Sequence, residues 1–425
     1  MQQPGIPAAA GLAARPPHGE ARRVRLRFEG TMRWAAAAIL SAWSCIMFPN
    51  WAGADSLASQ LDNLLRKKGL QTVDTVVPVL VQSVARAADF PTVATGPDFA
   101  YEYRPDSIGF ERSVRPLSPV LVETAQTVGR HVLQIGGSSL WTKFNRLDGK
   151  LLEHTEANFT FTGETAEGQP LRIPGTLKFD AFTIQDFVFS AFATYGVTDR
   201  WDVGLVIPGV FTMLEARGQR EVEIDNTSIP LDRFDIDDSK LGIGDVLLRS
   251  KYVFYPNNGL SVAPTLALRM PTGNQANFQG TGDTTVTPGL TATHTNGRFG
   301  FFASAGVDVP PSDLERTAVR YGTALSFRIL AQLSLIAEVS GRSTLVDDTF
   351  FVVVPVSPSV PLDAPSPFVR RLPATIPRAD AVDGAIGLKA RLLPGYVGFV
   401  SVIFPLTKGG ATAPVTPLAG VEIHF

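Results

Sequence analysis

The chain has 425 residues, 44% of them apolar, and 38 basic against 40 acidic side chains. That length admits two or three soluble domains, or one large barrel. The near-neutral charge excludes a nucleic-acid binder working by electrostatics.

The front of the chain reads as an export signal. Arg22, Arg23, Arg25, Arg27 and Arg33 precede an apolar run from Trp34 to Phe48. Ala52-Gly53-Ala54 then offers a small-residue cleavage site. The run is short for a membrane helix, so a cleaved signal is expected over 1–54 rather than an anchor. Met32 is an alternative start, which would leave 1–31 untranslated. Cys45, the one cysteine, lies inside this run, so the exported chain would contain none. That excludes disulfides, thiolate metal sites and a Cys nucleophile. Residues 1–54 hold six Arg and two Glu; without them 32 basic and 38 acidic residues remain.

Residues 55–128 form a second region. An amphipathic helix is expected from Asp55 to about Gly69, with Leu57, Leu61, Leu64 and Leu65 on one face and Asp55 or Ser56 as cap. A second helical piece is expected over 78–88, followed by a Pro-rich linker to residue 128. This region is either a periplasmic extension or a plug inside a pore.

From Gly129 the apolar pattern takes period two. Twelve strands are expected at about 130–144, 179–195, 201–216, 242–254, 260–270, 285–294, 299–309, 318–329, 333–344, 380–392, 396–406 and 415–425. Tight turns such as Asn296-Gly297 and Pro394-Gly395 alternate with long loops at 145–178, 217–241, 271–284, 310–317, 345–379 and 407–414. Short turns on one side and long loops on the other are the pattern of an outer-membrane barrel. The fold class is therefore all-β, a transmembrane antiparallel up-and-down barrel over 129–425 with a short helical N-terminal extension.

One face of most strands is apolar, as with Leu260, Val262, Leu266, Leu268 and Met270. The other is small, polar or charged. Tyr195, Trp201, Tyr252, Phe254, Phe299, Tyr396 and Phe425 gather near the short turns, like a girdle at a bilayer interface. The faces of 130–144 cannot be assigned from the pattern.

The polar face gathers the candidate lumen residues Asp245, Arg249, Lys251, Arg269, Arg320, Arg328, Glu338, Arg342, Asp383, Lys389 and Arg391, with Asp186, Asp202, Asp308 and Glu422 also inward. They are read either as cross-strand pairs that brace the wall or as a polar constriction that handles solutes. Nearly balanced signs argue against strong ion selectivity. Asp235, Asp237 and Asp238 could hold a divalent ion or simply be solvated; their spacing is not that of an EF-hand. Loop 271–284 lacks the Lys-Ser/Thr ending of a phosphate loop. His131, His154, His294 and His424 have no Ser partner in sequence, and no G-x-S-x-G occurs. No catalytic residue, metal site or cofactor is expected.

Two resemblances add to this. The last strand, ending Val421-Glu422-Ile423-His424-Phe425, is similar to the closing strand of outer-membrane barrels, where a terminal Phe serves as an assembly signal. The succession Glu123-Thr124-Ala125-Gln126-Thr127-Val128-Gly129, Phe144 to Gly149, Tyr195 to Gly204 and Gly242-Ile243-Gly244-Asp245 resembles the outer-membrane channel family named for the meta-pathway of phenol degradation, also described as transporters. It covers about 115–425. It implies an outer-membrane barrel of a diderm, Gram-negative bacterium and passive uptake of small solutes, aromatic or hydrophobic compounds among them, with no substrate residues carried over. The implied partners are outer-membrane lipids, lipopolysaccharide, the barrel-assembly machinery and an unidentified solute. The alternatives are a structural or adhesion barrel binding a partner through its long loops, and a barrel hydrolase.

Overall fold

The computed structural model describes residues 56–60, 71–72, 98, 101–104, 109–112, 116–153, 156–164, 170–224, 227–257, 259–355, 369–376 and 380–425. Twelve antiparallel strands close into a barrel: β1 Leu133–Phe144, β2 Pro170–Thr198, β3 Trp201–Ile224, β4 Val246–Tyr252, β5 Leu260–Met270, β6 Thr285–Asn296, β7 Phe299–Asp308, β8 Ala318–Leu330, β9 Leu333–Thr344, β10 Asp380–Leu393, β11 Tyr396–Pro405 and β12 Thr416–His424. Each pairs with its sequence neighbour, and β12 returns to β1 in a register that sets Leu418 opposite Leu140 and His424 opposite Gln134. Closure leaves no edge, so every wall strand has its backbone partners on both sides.

The strands form where β-branched and aromatic residues alternate with small or polar ones, and stop where the backbone must reverse. Gly297 and Gly395 sit in two of the short turns at φ 59° and 84°, values that a side chain disfavours. The expected strand positions hold to within a few residues for β4 to β12.

The expected loops differ. Residues 217–241 are not a loop: β3 runs on to Ile224 and pairs with a strand Thr227–Ile243, from Thr227↔Ile224 to Ile243↔Gly209. Their charges suggest a loop from sequence, but here they pair across the strands. Arg220 bonds Asp232, and Arg217 Nε donates to Asp235 Oδ1 at 3.1 Å. Phe234 packs edge-on against Phe179, which packs edge-on against Phe182. Farther out, Lys178 and Ser228 hydrogen-bond to Glu221 and hold its carboxyl below the usual range. The loops 145–178 and 345–379 likewise contain paired strands, Glu156–Glu164 against β2 and Asp348–Pro355 against Val369–Ile376.

Of the expected helix at 55–69, residues 57–60 are helical. Ser56 Oγ caps it by accepting from Ser59 N at 3.1 Å. Leu57 is fully buried and its N–H donates to Asn277 Oδ1 at 3.1 Å. The remainder of that helix, the piece at 78–88 and the export signal lie outside the described residues.

Candidate functional site: the barrel lumen

The outer wall is apolar. Leu248, Leu266, Leu290, Phe301, Leu325, Ile386, Val400 and Val421 are all more than a third exposed and point away from the lumen. Tyr195, Trp201, Tyr252, Phe254, Phe299, Tyr396 and Phe425 are also exposed, and stand at the short-turn end. Their ring faces suit a bilayer interface. Such a belt on a closed barrel, with short turns on one end and long loops on the other, marks an outer-membrane barrel.

The inner wall has two halves. On β1, β2, β3, β11 and β12 it is apolar: Leu140, Val188, Phe192, Val206, Val210, Phe399, Ile403 and Leu418 are buried in one cluster. The rings of Phe192 and Phe399 lie over Gly136 and Gly420, where an added Cβ would meet each ring at 2.3 Å. On β4 to β10 the inner wall carries most of the charged residues, though Leu247, Ile336 and Ala385 belong to the same apolar cluster.

Residues 116–128 lie against this interior. Their backbone has no strand partner, and wall side chains supply the acceptors. Leu117 N donates to Ser334 Oγ at 3.1 Å. Val120 N donates to Glu338 Oε1, and Leu121 N and Val122 N to Oε2, all at 2.9 Å. Ala125 N reaches Thr293 Oγ1 at 2.9 Å, and Val128 N reaches Asp202 Oδ2 at 2.9 Å. Irregular backbone survives inside a membrane protein only when its polar groups are satisfied in this way.

A second tie is ionic. Lys389 Nζ stands 2.7 Å from Asp98 Oδ2, 2.9 Å from Glu422 Oε1 and 3.1 Å from Ser118 Oγ. Ser118 N donates to Asp98 Oδ1 at 2.7 Å, and Arg391 Nε donates to the Asp98 carbonyl at 2.8 Å. Three elements far apart in sequence thus share one buried cation.

Beside residues 121–123 the lumen opens into a chamber of about 410 Å³. Its lining runs from Asp202, next to the short turn before β3, to Thr407–Ala413 between β11 and β12 at the long-loop end. Arg249, Arg269, Arg320 and Arg342 line it, as do the apolar Phe144, Leu247, Ile403, Leu121 and Val122, with Leu247 paired directly to Arg269. Arg320 and Arg342 are directly paired across β8 and β9, an arrangement unfavourable for like charges. Asp308 offsets it: Arg320 Nη2 lies 2.7 Å and Arg342 Nε 3.1 Å from Asp308 Oδ2.

The sequence candidates fall into separate groups. Arg249, Lys251, Arg269, Arg320, Arg342 and Asp383 line the chamber. Glu338 binds the inner segment, and Lys389 and Arg391 meet Asp98. Asp245 faces the infolded loop 271–284, accepting from Gly273 N at 3.1 Å and from Thr281 N at 2.8 Å. Arg328 is half-buried near the short-turn end, where β8 pairs it with Ser334. Asp186 accepts from Thr212 Oγ1 at 2.6 Å in the wall. The sequence reading missed Asp98, Ser118 and Glu123. Glu123 takes Lys251 Nζ at 3.1 Å and Arg249 Nη1 at 3.5 Å. No local signal marks Asp98, since its cationic partners Lys389 and Arg391 are nearly 300 residues away.

Asp235 and Asp238 are engaged by Arg217 and by Lys240, and among the described residues no group of three His, Cys, Asp or Glu is placed to hold a metal.

Residues 164–339 match the family model described as "Putative MetA-pathway of phenol degradation". The resemblance read from the sequence is shown over that span. It takes in β2 to β8 and most of β9, including the arginines of the chamber wall up to Arg320. No curated protein matches the chain. Among solved structures, an outer membrane channel from Pseudomonas putida F1 is 12% identical, covering 71% of this chain and 98% of its own, at a TM-score of 0.43. The NanC porin is 8% identical, covering 68% and 98%, at 0.37. The CymD monoaromatic hydrocarbon channel is 9% identical, covering 70% and 89%, at 0.32. At these scores the three likenesses carry no weight beyond the family match.

Proposed function

We propose that the protein is a passive outer-membrane channel for small solutes, aromatic or hydrophobic compounds among them, working without cofactor or catalytic step. The observation that carries this is the chamber, whose lining extends from beside a short turn to the long-loop end. Residues 116–128 act as a plug that narrows the pore. The main-chain bonds to Glu338, Thr293 and Asp202 support that role.

The test is conductance of the refolded full chain in planar bilayers, with folding checked by heat-modifiable migration. Discrete conductance steps are expected. Folded protein that inserts without conducting would reject the channel. It would favour the second reading, a barrel that binds a partner through the raised sheet formed by the outer parts of β2, β3 and the strand Thr227–Ile243.

A further inference from the structure

Helix Leu57–Gln60 lies at the opposite end of the barrel from Val128. Gln60 Nε2 donates to Asp238 Oδ2, the oxygen that also takes Lys240 Nζ at 3.1 Å. Asp238 is paired with Leu214 on β3, twelve residues beyond Asp202, which holds Val128. At ~3.3 Å per residue that is about 40 Å along the strand. Asp238 shares its face of the raised sheet with Phe234 and Ile236, both buried. Across the sheet that face continues into Leu214 and Ile184, both fully buried. Along β2 it runs on from Ile184 to Val188 and Phe192 of the apolar lumen wall. The helix is therefore seated on the inward face, at the level where β1 ends with Phe144 opposite Ile184.

Its other tie is to loop 271–284. Leu57 is fully buried and its N–H donates to Asn277 Oδ1 at 3.1 Å. That loop is itself held inward. Asp245 accepts from Gly273 N and Thr281 N, and Gln279 Nε2 donates to the Lys240 carbonyl at 3.0 Å. Phe278, between Asn277 and Gln279, is fully buried at φ 61°, a left-handed conformation that a bulky residue keeps only where its surroundings impose it. The loop thus presents a fixed Asn277 to the helix. The seat combines one buried leucine with amide hydrogen bonds, contacts that form and break without separating an ion pair. Breaking the Lys389–Asp98 pair, in contrast, would strand a buried charge, so Asp98 stays when the helix leaves.

In outer-membrane barrels the long loops face outward. We propose that helix Leu57–Gln60 is a lid on the outward mouth of the lumen. It is closed when Leu57 is seated against loop 271–284 with Gln60 on Asp238, and open when it leaves both while residues 116–128 stay in place. The outward constriction then opens separately from the inward one. The lid's effect on transport rests on the channel reading; the seat itself does not.

The experiment bridges the seat in the full chain, with Cys45→Ser so that the introduced thiols are the only ones. Gln60→Cys/Asp238→Cys is treated with a short bis-methanethiosulfonate reagent. Gln60→Cys/Asp237→Cys, whose second position is exposed on the other face, is the control. Folding is checked by heat-modifiable migration. The first pair is expected to bridge and the control is not. Bridging should lower single-channel open probability in planar bilayers at least tenfold, and dithiothreitol should restore it. Leu57→Ser should raise open probability and speed the reaction of a thiol at 60 with a soluble methanethiosulfonate at least tenfold, with hydrogen exchange at residues 117–125 unchanged. Faster exchange there in Leu57→Ser would overturn the separate opening. Folded protein whose 60/238 pair fails to bridge would overturn the seat and the lid with it. Bridging that leaves open probability unchanged in a conducting protein would overturn the lid and retain the channel. Bridging in a protein that conducts in neither state would overturn the channel reading and the lid's role in it, and retain the seat.

Discussion

Glu338→Ala isolates the tie between the inner segment and the wall. The wild-type carboxylate accepts from Val120, Leu121 and Val122, each at 2.9 Å, and is 4% exposed. Hydrogen bonds to a charged acceptor contribute about 1.5–3 kcal/mol each, roughly 4.5–9 kcal/mol for three. Burying the carboxylate costs several kcal/mol, which offsets part of that sum. Alanine removes the acceptor and leaves the buried Val120 and Val122 N–H groups without it, so the local loss should be about 3–5 kcal/mol. At ~1.4 kcal/mol per tenfold, that raises the released fraction of the segment by a factor of roughly 10² to a few times 10³. The wall strands keep their pairing, so heat-modifiable migration should not change. Hydrogen exchange at residues 117–125, followed by mass spectrometry, should accelerate by that factor. Single-channel conductance should rise and become noisy. Glu338→Gln, which keeps the volume and one acceptor oxygen, should fall between. Unchanged exchange and unchanged conductance in Glu338→Ala would refute the view that this carboxylate holds the segment.

Three further outcomes are expected. Leu266→Arg places a charge on the lipid face and should cost about 2–4 kcal/mol of folding into bilayers. Thr265→Arg, on the chamber wall, should fold and change ion selectivity; labelling of Cys at 266 by lipid-soluble but not impermeant reagents checks the orientation. Deleting Phe425 removes two main-chain bonds to Leu133, at 2.9 and 3.3 Å, and one exposed ring. It should leave the finished barrel nearly as stable yet sharply reduce its yield in the outer membrane of cells; full yield would show that the residue is not an assembly signal. Gly136→Val drives a side chain into the Phe192 ring and should destabilise by about 1–3 kcal/mol in urea unfolding, with Gly136→Val/Phe192→Ala recovering part of the loss.

Most of the wall was readable because strand periodicity is local. On β5, Leu260 and Leu266 face out while Ala263 faces in, as alternation requires. On β1 and β2 the alternation fails for a physical reason. Trp141, Phe187 and Phe189 face lipid while Leu140, Val188 and Phe192 face an apolar interior, so both sides are greasy and periodicity carries no sign. The charged stretch 217–241 misled for the opposite reason: its acids and bases neutralise each other across a hairpin, which no single-strand pattern reveals. The inner segment was hardest. Its bonds to the wall run to side chains far off in sequence, 217 residues for Leu117 to Ser334 and 74 for Val128 to Asp202, so nothing near it in sequence announces them.

The grip of Glu338 on the inner segment uses only the main chain of residues 120–122. Any residue but proline supplies the same N–H at those positions. The side chains of Leu121 and Val122 both border the chamber, but Val122 is also buried on Phe302 and Ala324, whereas Leu121 is only partly buried. The molecule thus separates the part that fastens from the part that touches solute. Exchanging Leu121 is a route to new solute preferences that leaves the main-chain fastening intact, and a randomised codon at 121 would be a small library with which to explore it.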